Sequence, residues 1–214
     1  MEWVAKRVWK YISTYNNFIF FRKSFHIEHL SEVEAFDCAI FADTRYQLFI
    51  NGRFVGRGPA PFDPRYARYD RYTPVELLHE GENVIGVLGC YYGNPTGDCI
   101  PYTGGGMVFQ GELTLSGGRT VVVGSDESWR CKPATCWFPP ITRRSGWRSL
   151  IEWYDARWYP EHWHEPGFDD SAWLPVNAAS RPLTAWVEGG EFSEREIGYM
   201  QFPQHELAGA RWVG

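Results

Sequence analysis

Short runs of alternating hydrophobic and polar residues, separated by turn-forming residues, fill the chain up to about Trp129. The runs "FIFFRKSFHIE" and "EAFDCAIFAD" are two of them. In the second run, Phe36, Cys38 and Ile40 share one face, and the residues between them, including Asp37, share the other. A period of two is typical of β-strands. Together with the runs that follow, this pattern predicts at least seven strands with short connections. We therefore predict an all-β fold, a jelly-roll β-sandwich.

Two tight reversals punctuate these runs. In "RYQLFINGRFVGRGP", Asn51-Gly52 supplies two residues that tolerate a positive φ, as a type I′ hairpin turn requires. Ser116-Gly117-Gly118 similarly separates "GGMVFQGELTL" from "RTVVVGSD". A third turn is expected at Gly81-Glu82-Asn83, followed by a strand from Val84 to Tyr92.

The pattern changes after about Trp129, where Pro, Trp and charged residues replace the alternation. This part predicts long ordered loops laid over the sandwich, and "FDDSAW" predicts a short helical turn capped by Asp169 or Asp170. We expect residues 1–17 to form a lead-in segment, residues 18–187 the β-sandwich, and residues 188–214 a linker toward a downstream module.

The composition is rich in aromatic residues, at 17% of the 214 residues and with 11 tryptophans. One interpretation is a thick aromatic core between sheets. The other is that some rings are exposed platforms for a flat ligand such as a sugar, and both can hold at once.

Charge and cysteine content limit the functional classes. A net charge of −5 without any Lys/Arg block disfavours nucleic-acid binding. The sequence has neither an apolar run long enough to span a bilayer nor a recognisable signal peptide, so we expect a cytoplasmic protein without membrane contact. The odd count of five cysteines, with no C-x-x-C pair, favours free thiols.

Seven phrases occur in a defined order along the chain: "FFRKSF", "RYQLFINGRFVGRGP", "DPRYARYDRY", "GENVIGVLG", "SDESWR", "EWYDAR" and "FDDSAW". As an ordered set they resemble the N-terminal non-catalytic region of bacterial α-L-rhamnosidases, family 78 of the glycoside hydrolases. The resemblance covers roughly residues 18–187. Cys90-Tyr91-Tyr92 stands where many relatives have Gly-Trp-Tyr, and Ile151-Glu152-Trp153 replaces a Gly-Glu before Y-D-A-R.

The resemblance implies a galactose-binding-domain-like jelly roll that lies beside an (α/α)₆ catalytic barrel, which hydrolyses terminal rhamnose with inversion. Such a barrel needs several hundred further residues. The expected partners are therefore the catalytic module of a parent enzyme and rhamnose-containing carbohydrate. No cofactor is predicted, and Ca²⁺ is left open because some relatives bind rhamnose through calcium in their accessory domains.

The loop "CYYGNPTGDCIPYTGGG" combines the two features that sugar recognition needs, aromatic faces and in-plane polar groups. The candidate carbohydrate-binding residues are Tyr91, Tyr92, Asn94, Asp98 and Tyr102. The alternative is a structural loop with buried tyrosines.

The segment "EWYDAR" adds Glu152 and Asp155 to the candidates. Asp155 would hold a ligand hydroxyl or Ca²⁺, or it would pin the long loop through charge-assisted hydrogen bonds with Arg157. The pair His162 and His164 would share a side of a strand and suit a transition metal, but no third His or Cys is near in sequence.

An Arg- and Tyr-rich strip follows the Asn-Gly hairpin. Its candidate interface residues are Arg57, Arg65, Tyr66, Arg68 and Tyr69. The strip would dock on a catalytic barrel, bind a ligand, or form stacked Arg–Tyr packing within a loop.

Three functions remain open at this point: a non-catalytic accessory domain of an α-L-rhamnosidase-like hydrolase, an independent sugar-binding module, and a ligand-free interaction scaffold. Independent catalysis is not favoured because nucleophile and phosphate-binding motifs are missing from the sequence. The many Asp and Glu residues nevertheless leave a carboxylate pair open.

Overall fold

The computed structural model describes residues 2–10, 16–95, 100–101, 104–138 and 152–200. The strands are β1 Val8–Trp9, β2 Asn17–Ile27, β3 Val33–Asp43, β4 Arg45–Ile50, β5 Arg53–Gly58, β6 Tyr66–Tyr72, β7 Gly81–Tyr91, β8 Gly106–Leu115, β9 Arg119–Gly124, β10 Arg130–Pro133, β11 Trp137–Phe138, β12 Trp153–Tyr154, β13 Leu174–Pro175, β14 Asn177–Ala178 and β15 Glu191–Glu194. Three short 3₁₀ helices span Leu30–Glu32, Val75–Leu77 and Ala156–Trp158.

Two sheets form the sandwich within the described ranges. The first has the order β14-β1-β8-β3-β6-β15, with β9 also paired to β8, and the second has the order β13-β10-β2-β7-β4-β5. The antiparallel pair of β11 and β12 forms a separate two-stranded sheet. All pairs are antiparallel except β15, which runs parallel to β6. The predicted all-β sandwich is confirmed.

The core lies between the two sheets and follows from the alternation of the strands. In β2, Ile19 and Phe21 point inward, and in β3 Phe36, Cys38 and Ile40 do so; all five side chains are buried. Trp129 also enters this core, and its indole N–H donates to the Gly124 carbonyl at 2.9 Å, so that its one polar atom is satisfied.

The outer faces of both sheets are covered as well. Phe20 and Leu88 of the second sheet pack under Trp163 and Trp173 from the long loop after Glu152. Phe41 of the first sheet packs against Trp186 at a ring-centre distance of 4.6 Å. The abundance of tryptophan thus reflects three apolar layers, and the predicted loops lie over the sandwich.

Two of the predicted reversals are confirmed. Asn51 and Gly52 join β4 to β5 with φ values of +48° and +82°. The Ser116–Gly118 turn joins β8 to β9. The third reversal lies earlier than predicted, because Asn83 bonds back to the backbone N–H and carbonyl of His79 and β7 already begins at Gly81.

The segment "FDDSAW" forms a hydrogen-bonded turn, and the predicted helical turn is wrong there. Asp169 accepts a hydrogen bond from the Ser171 N–H at 2.9 Å, and Trp173 N–H donates to the Asp170 carbonyl at 2.9 Å. The chain then enters β13 directly, because Trp173 is drawn into the outer cluster and Leu174 pairs with β10.

Strands also lie outside the expected 18–187 span. Val8 and Trp9 pair with β8 and β14, and Glu191–Glu194 pairs with β6. Sequence alternation is too short in both places to indicate a strand. Among the described residues, the cysteines Cys38, Cys131 and Cys136 are free and buried, and Cys90 is buried as well. No helix there is long and apolar enough to cross a membrane.

Candidate functional site

A cavity of about 640 Å³ lies beside β4 and β7 of the second sheet. The segment after β5 and residues 195–200 form further walls, so that distant parts of the chain meet in one place. Residues that line it with aromatic, charged or flexible apolar side chains include Phe18, Arg45, Arg57, Tyr92, Glu152 and Met200.

The Asn-Gly hairpin places β4 and β5 along the cavity. Asn51 takes the left-handed conformation that the turn needs, and its side chain also ties the turn to the rest of the sheet. Its amide donates to the Leu77 carbonyl at 2.8 Å and its oxygen accepts from Val84 N–H at 2.7 Å. These bonds fix the position of the hairpin against β7, because a paired buried amide resists displacement.

An aromatic wall supports one side of the cavity. Phe18 stacks on Trp137 with a ring-centre distance of 4.6 Å and an interplanar angle of 11°. The indole N–H of Trp137 donates to the carboxylate of Glu152 at 3.0 Å. This bond holds the otherwise exposed Glu152 at the rim of the cavity.

The cavity lining also includes a ring and cationic donors. Tyr92 is half-buried, and the guanidinium of Arg45 lies 5.8 Å from its ring centre, a cation–π distance. Arg57 reaches the same cavity from β5. Apolar rings, guanidinium donors and one carboxylate acceptor are the groups that recognise a polyhydroxylated ring.

A buried polar cluster lies behind the cavity. The hydroxyl of Tyr46 donates to one carboxylate oxygen of Asp70, and Arg195 donates to the other at 3.0 Å. Burial raises the pKa of Asp70, while the bonds from Tyr46 and Arg195 oppose that rise. Burial is also the main reason why the pKa of Tyr46 is raised, and the neighbouring Asp70 adds to it.

The predicted loop residues divide between core and cavity. Tyr91 is buried against Trp9 and its hydroxyl accepts from Gly104 N–H at 3.1 Å, so it supports the structural interpretation of the loop. Tyr92 lines the cavity. Asn94 is half-buried outside the cavity lining, and Asp98 and Tyr102 lie outside the described residues.

Asp155 lies apart from the cavity that Glu152 lines. Both of its carboxylate oxygens accept hydrogen bonds from Arg157, the shortest at 2.6 Å, and it caps the third 3₁₀ helix. The bonds from Arg157 also lower the pKa of Asp155. These side-chain bonds join residues two positions apart within the loop, so both predicted roles, pinning the loop to the sheet and holding a ligand or Ca²⁺, stay predictions.

The two histidines have different partners. His162 bonds the carboxylate of Glu165 at 2.9 Å, whereas His164 stacks on Phe49 at 4.6 Å. They sit on a turn instead of the strand that the metal hypothesis assumed. In the part of the chain that the structure describes, no group of three His, Cys, Asp or Glu side chains is placed to hold a metal ion.

The Arg- and Tyr-rich strip is largely engaged within the domain. Arg65 pairs with Asp63 at 2.6 Å and lowers the pKa of Asp63 to about 2. Arg68 pairs with Glu191 at 3.1 Å, and Tyr66 is an exposed ring. Tyr69 packs edge-on against Trp3 at 5.2 Å. Arg57 is the member of the strip that faces the cavity.

Sequence reasoning missed the cavity residues that come from distant segments. Phe18, Arg45 and Arg195 meet Tyr92 only through strand order, which the sequence did not reveal. A signal was present at Asp70, where a carboxylate interrupts the Arg-Tyr alternation of β6, but nothing in the sequence indicates that Arg195 is its partner.

Comparison with known proteins identifies similar domains. Residues 33–191 match the profile of a family described as the alpha-L-rhamnosidase N-terminal domain. The chain is 31% identical over 160 residues to an alpha-L-rhamnosidase of Streptomyces avermitilis, a match that covers 67% of this chain and 15% of that protein.

Solved structures give the same picture. A GH78 family rhamnosidase of Bacillus sp. GL1 superposes with a TM-score of 0.79 and 29% identity, covering 93% of this chain and 20% of that one. A lectin from Pleurotus ostreatus, solved in complex with GalNAc, has a TM-score of 0.55 and 21% identity over 87% of this chain and 45% of its own, which shows a shared fold alone. The chain therefore spans a fifth or less of the two rhamnosidases.

Proposed function

Because the chain belongs to the alpha-L-rhamnosidase N-terminal domain family, we propose that it is a non-catalytic accessory domain of a family 78 glycoside hydrolase and contacts carbohydrate in the cavity lined by Tyr92. The observation that carries the proposal is the cavity itself. It combines rings, guanidinium groups and a rim carboxylate within one cavity, whose volume is about 640 Å³. A cavity of this size accommodates one or two sugar rings.

The non-catalytic part of the proposal is supported by the carboxylates around the cavity. Glycoside hydrolysis needs two carboxylates roughly 5 to 10 Å apart across a cleft. Among the described lining residues, Glu152 is the one with a carboxylate. Asp70 lies behind Tyr46, fully buried and bonded to Arg195, so it is not available to a substrate. The catalytic module of a longer enzyme would supply the chemistry.

An activity assay tests the non-catalytic role. The chain alone is incubated with p-nitrophenyl α-L-rhamnopyranoside, and release of p-nitrophenol is followed. We expect no release above the buffer rate. Turnover that disappears in Glu152→Gln would contradict the proposal, because it would make this cavity an active site.

Titration calorimetry with L-rhamnose and rhamnose-containing oligosaccharides, each with and without Ca²⁺, tests the carbohydrate contact. We expect saturable binding with a Kd of about 1 mM, since a small ligand engages few groups. Tyr92→Ala should weaken it about two- to tenfold, because an aromatic contact contributes roughly 0.5–1.5 kcal/mol. Tyr66→Ala is the matched control, since it removes an exposed tyrosine outside the cavity. A flat response to every sugar would leave a purely structural domain.

A further inference from the structure

The chain leaves the first sheet through a short segment that folds back on it. After β15, the backbone N–H of Arg195 donates to the Tyr69 carbonyl at 2.9 Å and continues the pairing with β6. Residues 195–200 then turn across the end of the cavity, and Arg195, Ile197, Gly198 and Met200 line it. We call residues 195–200 the exit latch.

Arg195 holds the exit latch in its turned conformation. Its guanidinium donates to Asp70 at 3.0 Å, to the Ile197 carbonyl at 3.0 Å and to the Gly198 carbonyl at 2.7 Å. The side chains of Arg195 and Asp70 are 8% and 0% exposed. A single buried carboxylate therefore anchors a cation that in turn holds two backbone carbonyls of the latch.

Tyr199 fastens the same segment a second time. Its hydroxyl donates to the Arg71 carbonyl and accepts from the Arg71 N–H, both at 2.8 Å. It thereby pairs the two backbone groups of Arg71 as a neighbouring strand would. Its ring lies 5.2 Å from that of Tyr72 and 4.7 Å from the Arg195 guanidinium. The latch is thus bonded to β6 at three consecutive residues, Tyr69, Asp70 and Arg71.

The other oxygen of Asp70 holds a residue of β4 that also lines the cavity. It accepts from the hydroxyl of Tyr46, which lines the cavity and also contacts the Tyr72 hydroxyl at 3.0 Å. Gly58 allows this approach, because a Cβ there would lie 2.0 Å from the Asp70 carboxylate. Asp70 touches two walls of the cavity without lining it.

From these contacts we propose that Asp70 is a positioning residue for the cavity: through Arg195 it holds the exit latch closed against the cavity, and through Tyr46 it fixes the β4 wall. The consequence for carbohydrate rests on the proposed function, whereas the closing of the cavity does not. Release of the latch opens the cavity to solvent and lowers its affinity for a sugar.

Cys90 provides a reporter that needs no ligand, since it lines the cavity and is 5% exposed. The rate at which a maleimide labels Cys90 is measured by peptide mass spectrometry. Cys38, Cys131 and Cys136 are buried elsewhere and report general unfolding in the same sample. Labelling of a buried thiol follows the population of the locally open form.

Three variants distinguish an effect on the exit latch from an effect on the stability of the whole fold. Asp70→Asn leaves Arg195 as an unpaired buried cation and risks misfolding. The double variant Asp70→Asn with Arg195→Met removes both charges and keeps the side-chain volumes. Glu191→Gln is the matched control, because it breaks the ion pair with Arg68 between the same two strands, at an exposed position outside the cavity lining.

We expect the double variant to label Cys90 about tenfold faster, as the loss of one or more charge-assisted hydrogen bonds predicts. Labelling of Cys38, Cys131 and Cys136 should stay unchanged, and Glu191→Gln should behave as the wild type. Unchanged labelling of Cys90 would overturn the proposal. A common rise at all four cysteines would overturn it too, since Asp70 would then support the fold as a whole.

The sugar titration supplies the second readout. The double variant should bind L-rhamnose about tenfold more weakly than the wild type, in line with the loss of one charge-assisted hydrogen bond. Equal affinities would overturn the link between latch and site. If the wild type binds no sugar, the proposed function fails, and Cys90 labelling still decides whether Asp70 closes the cavity.

Discussion

At the scale of single residues, the most constrained point of the cavity is the contact between Gly58 and Asp70. A Cβ on Gly58 would lie 2.0 Å from the Asp70 carboxylate and 2.9 Å from the ring of Tyr46. Both neighbours are buried and bonded to each other, so neither has free space into which it can move. Only glycine fits at this position.

We predict that Gly58→Ala lowers the free energy of unfolding by about 1–3 kcal/mol, the usual cost of overpacking a buried site. Gly198→Ala serves as the control, because its Cβ would meet no atom within 4 Å. Urea unfolding of both variants checks this. A Gly58→Ala protein as stable as the wild type would show that the Asp70 cluster yields easily.

His164 is a residue whose titration affects stability. Burial lowers its pKa below the ordinary value of 6.5, and its Nδ1 atom is buried without a hydrogen-bond partner. The folded protein therefore binds a proton at His164 less readily than the unfolded chain. The stabilisation is fully present above pH 6.5 and is lost as the pH falls through the folded pKa.

We predict that stability drops less in His164→Phe than in the wild type when the pH is lowered from about 7.5 to about 5.5, because the difference in proton uptake at this site disappears. His162 has a pKa raised by Glu165 and acts in the opposite direction, but both proteins retain it. Urea midpoints at the two pH values provide the measurement. Identical pH dependence would rule out His164 as the source.

The residue scale also shows what sequence can and cannot predict. The turn at Asn51-Gly52 was predictable because its signal is local: two adjacent residues that accept positive φ. The pair of Asp70 and Arg195 was not, because 125 residues separate its members. The expected role of Tyr91 changes as well. Its position beside glycines predicted an accessible ring, but Trp9, which is distant in sequence, packs against it.

At the scale of elements, the long loop after β12 is held to the second sheet by one buried cation. Arg22 of β2 is 2% exposed and donates to the Trp163 carbonyl at 3.1 Å, the Glu165 carbonyl at 3.0 Å and the Asp170 carboxylate at 2.6 Å. The loop supplies Trp163 and Trp173 to the outer cluster. Arg22 thus converts a segment without regular structure into a fixed layer.

We predict that Arg22→Met increases hydrogen exchange across residues 161–170 by about tenfold or more, as the loss of charge-assisted bonds implies. The strands β3 and β8 of the other sheet should keep their protection. Lys23→Met is the control, since the neighbouring lysine donates to the exposed Ser128 hydroxyl, which lies outside this loop. Uniform loss of protection would mean that Arg22 stabilises the entire fold.

Element boundaries were predictable where alternation is long and not where it is short. The eleven residues of β2 and of β3 produce a clear period of two. The strands β1, β13 and β14 have two residues each, too few to show a period, and they form because a neighbouring strand offers free backbone groups. The same limit explains why β15 was expected to be part of a linker.

At the scale of the whole molecule, the described residues form three apolar layers, with the proposed carbohydrate cavity beside β4 and β7. The outer layers bury the tryptophans that the composition left unassigned. Exposed rings remain at Trp153 and Trp158, which are 71% and 62% exposed and lie outside the cavity lining. These two exposed rings are alternative sugar contacts against which the role of the cavity can be tested.

The most direct measurement is an NMR titration of the ¹⁵N-labelled chain with L-rhamnose, because it locates the contact as well as detecting it. We predict saturable shifts at the cavity amides of Phe18, Gln47, Cys90 and Gly198. Shifts gathered around Trp153 and Trp158, or no shifts at any sugar concentration, would contradict carbohydrate contact in this cavity.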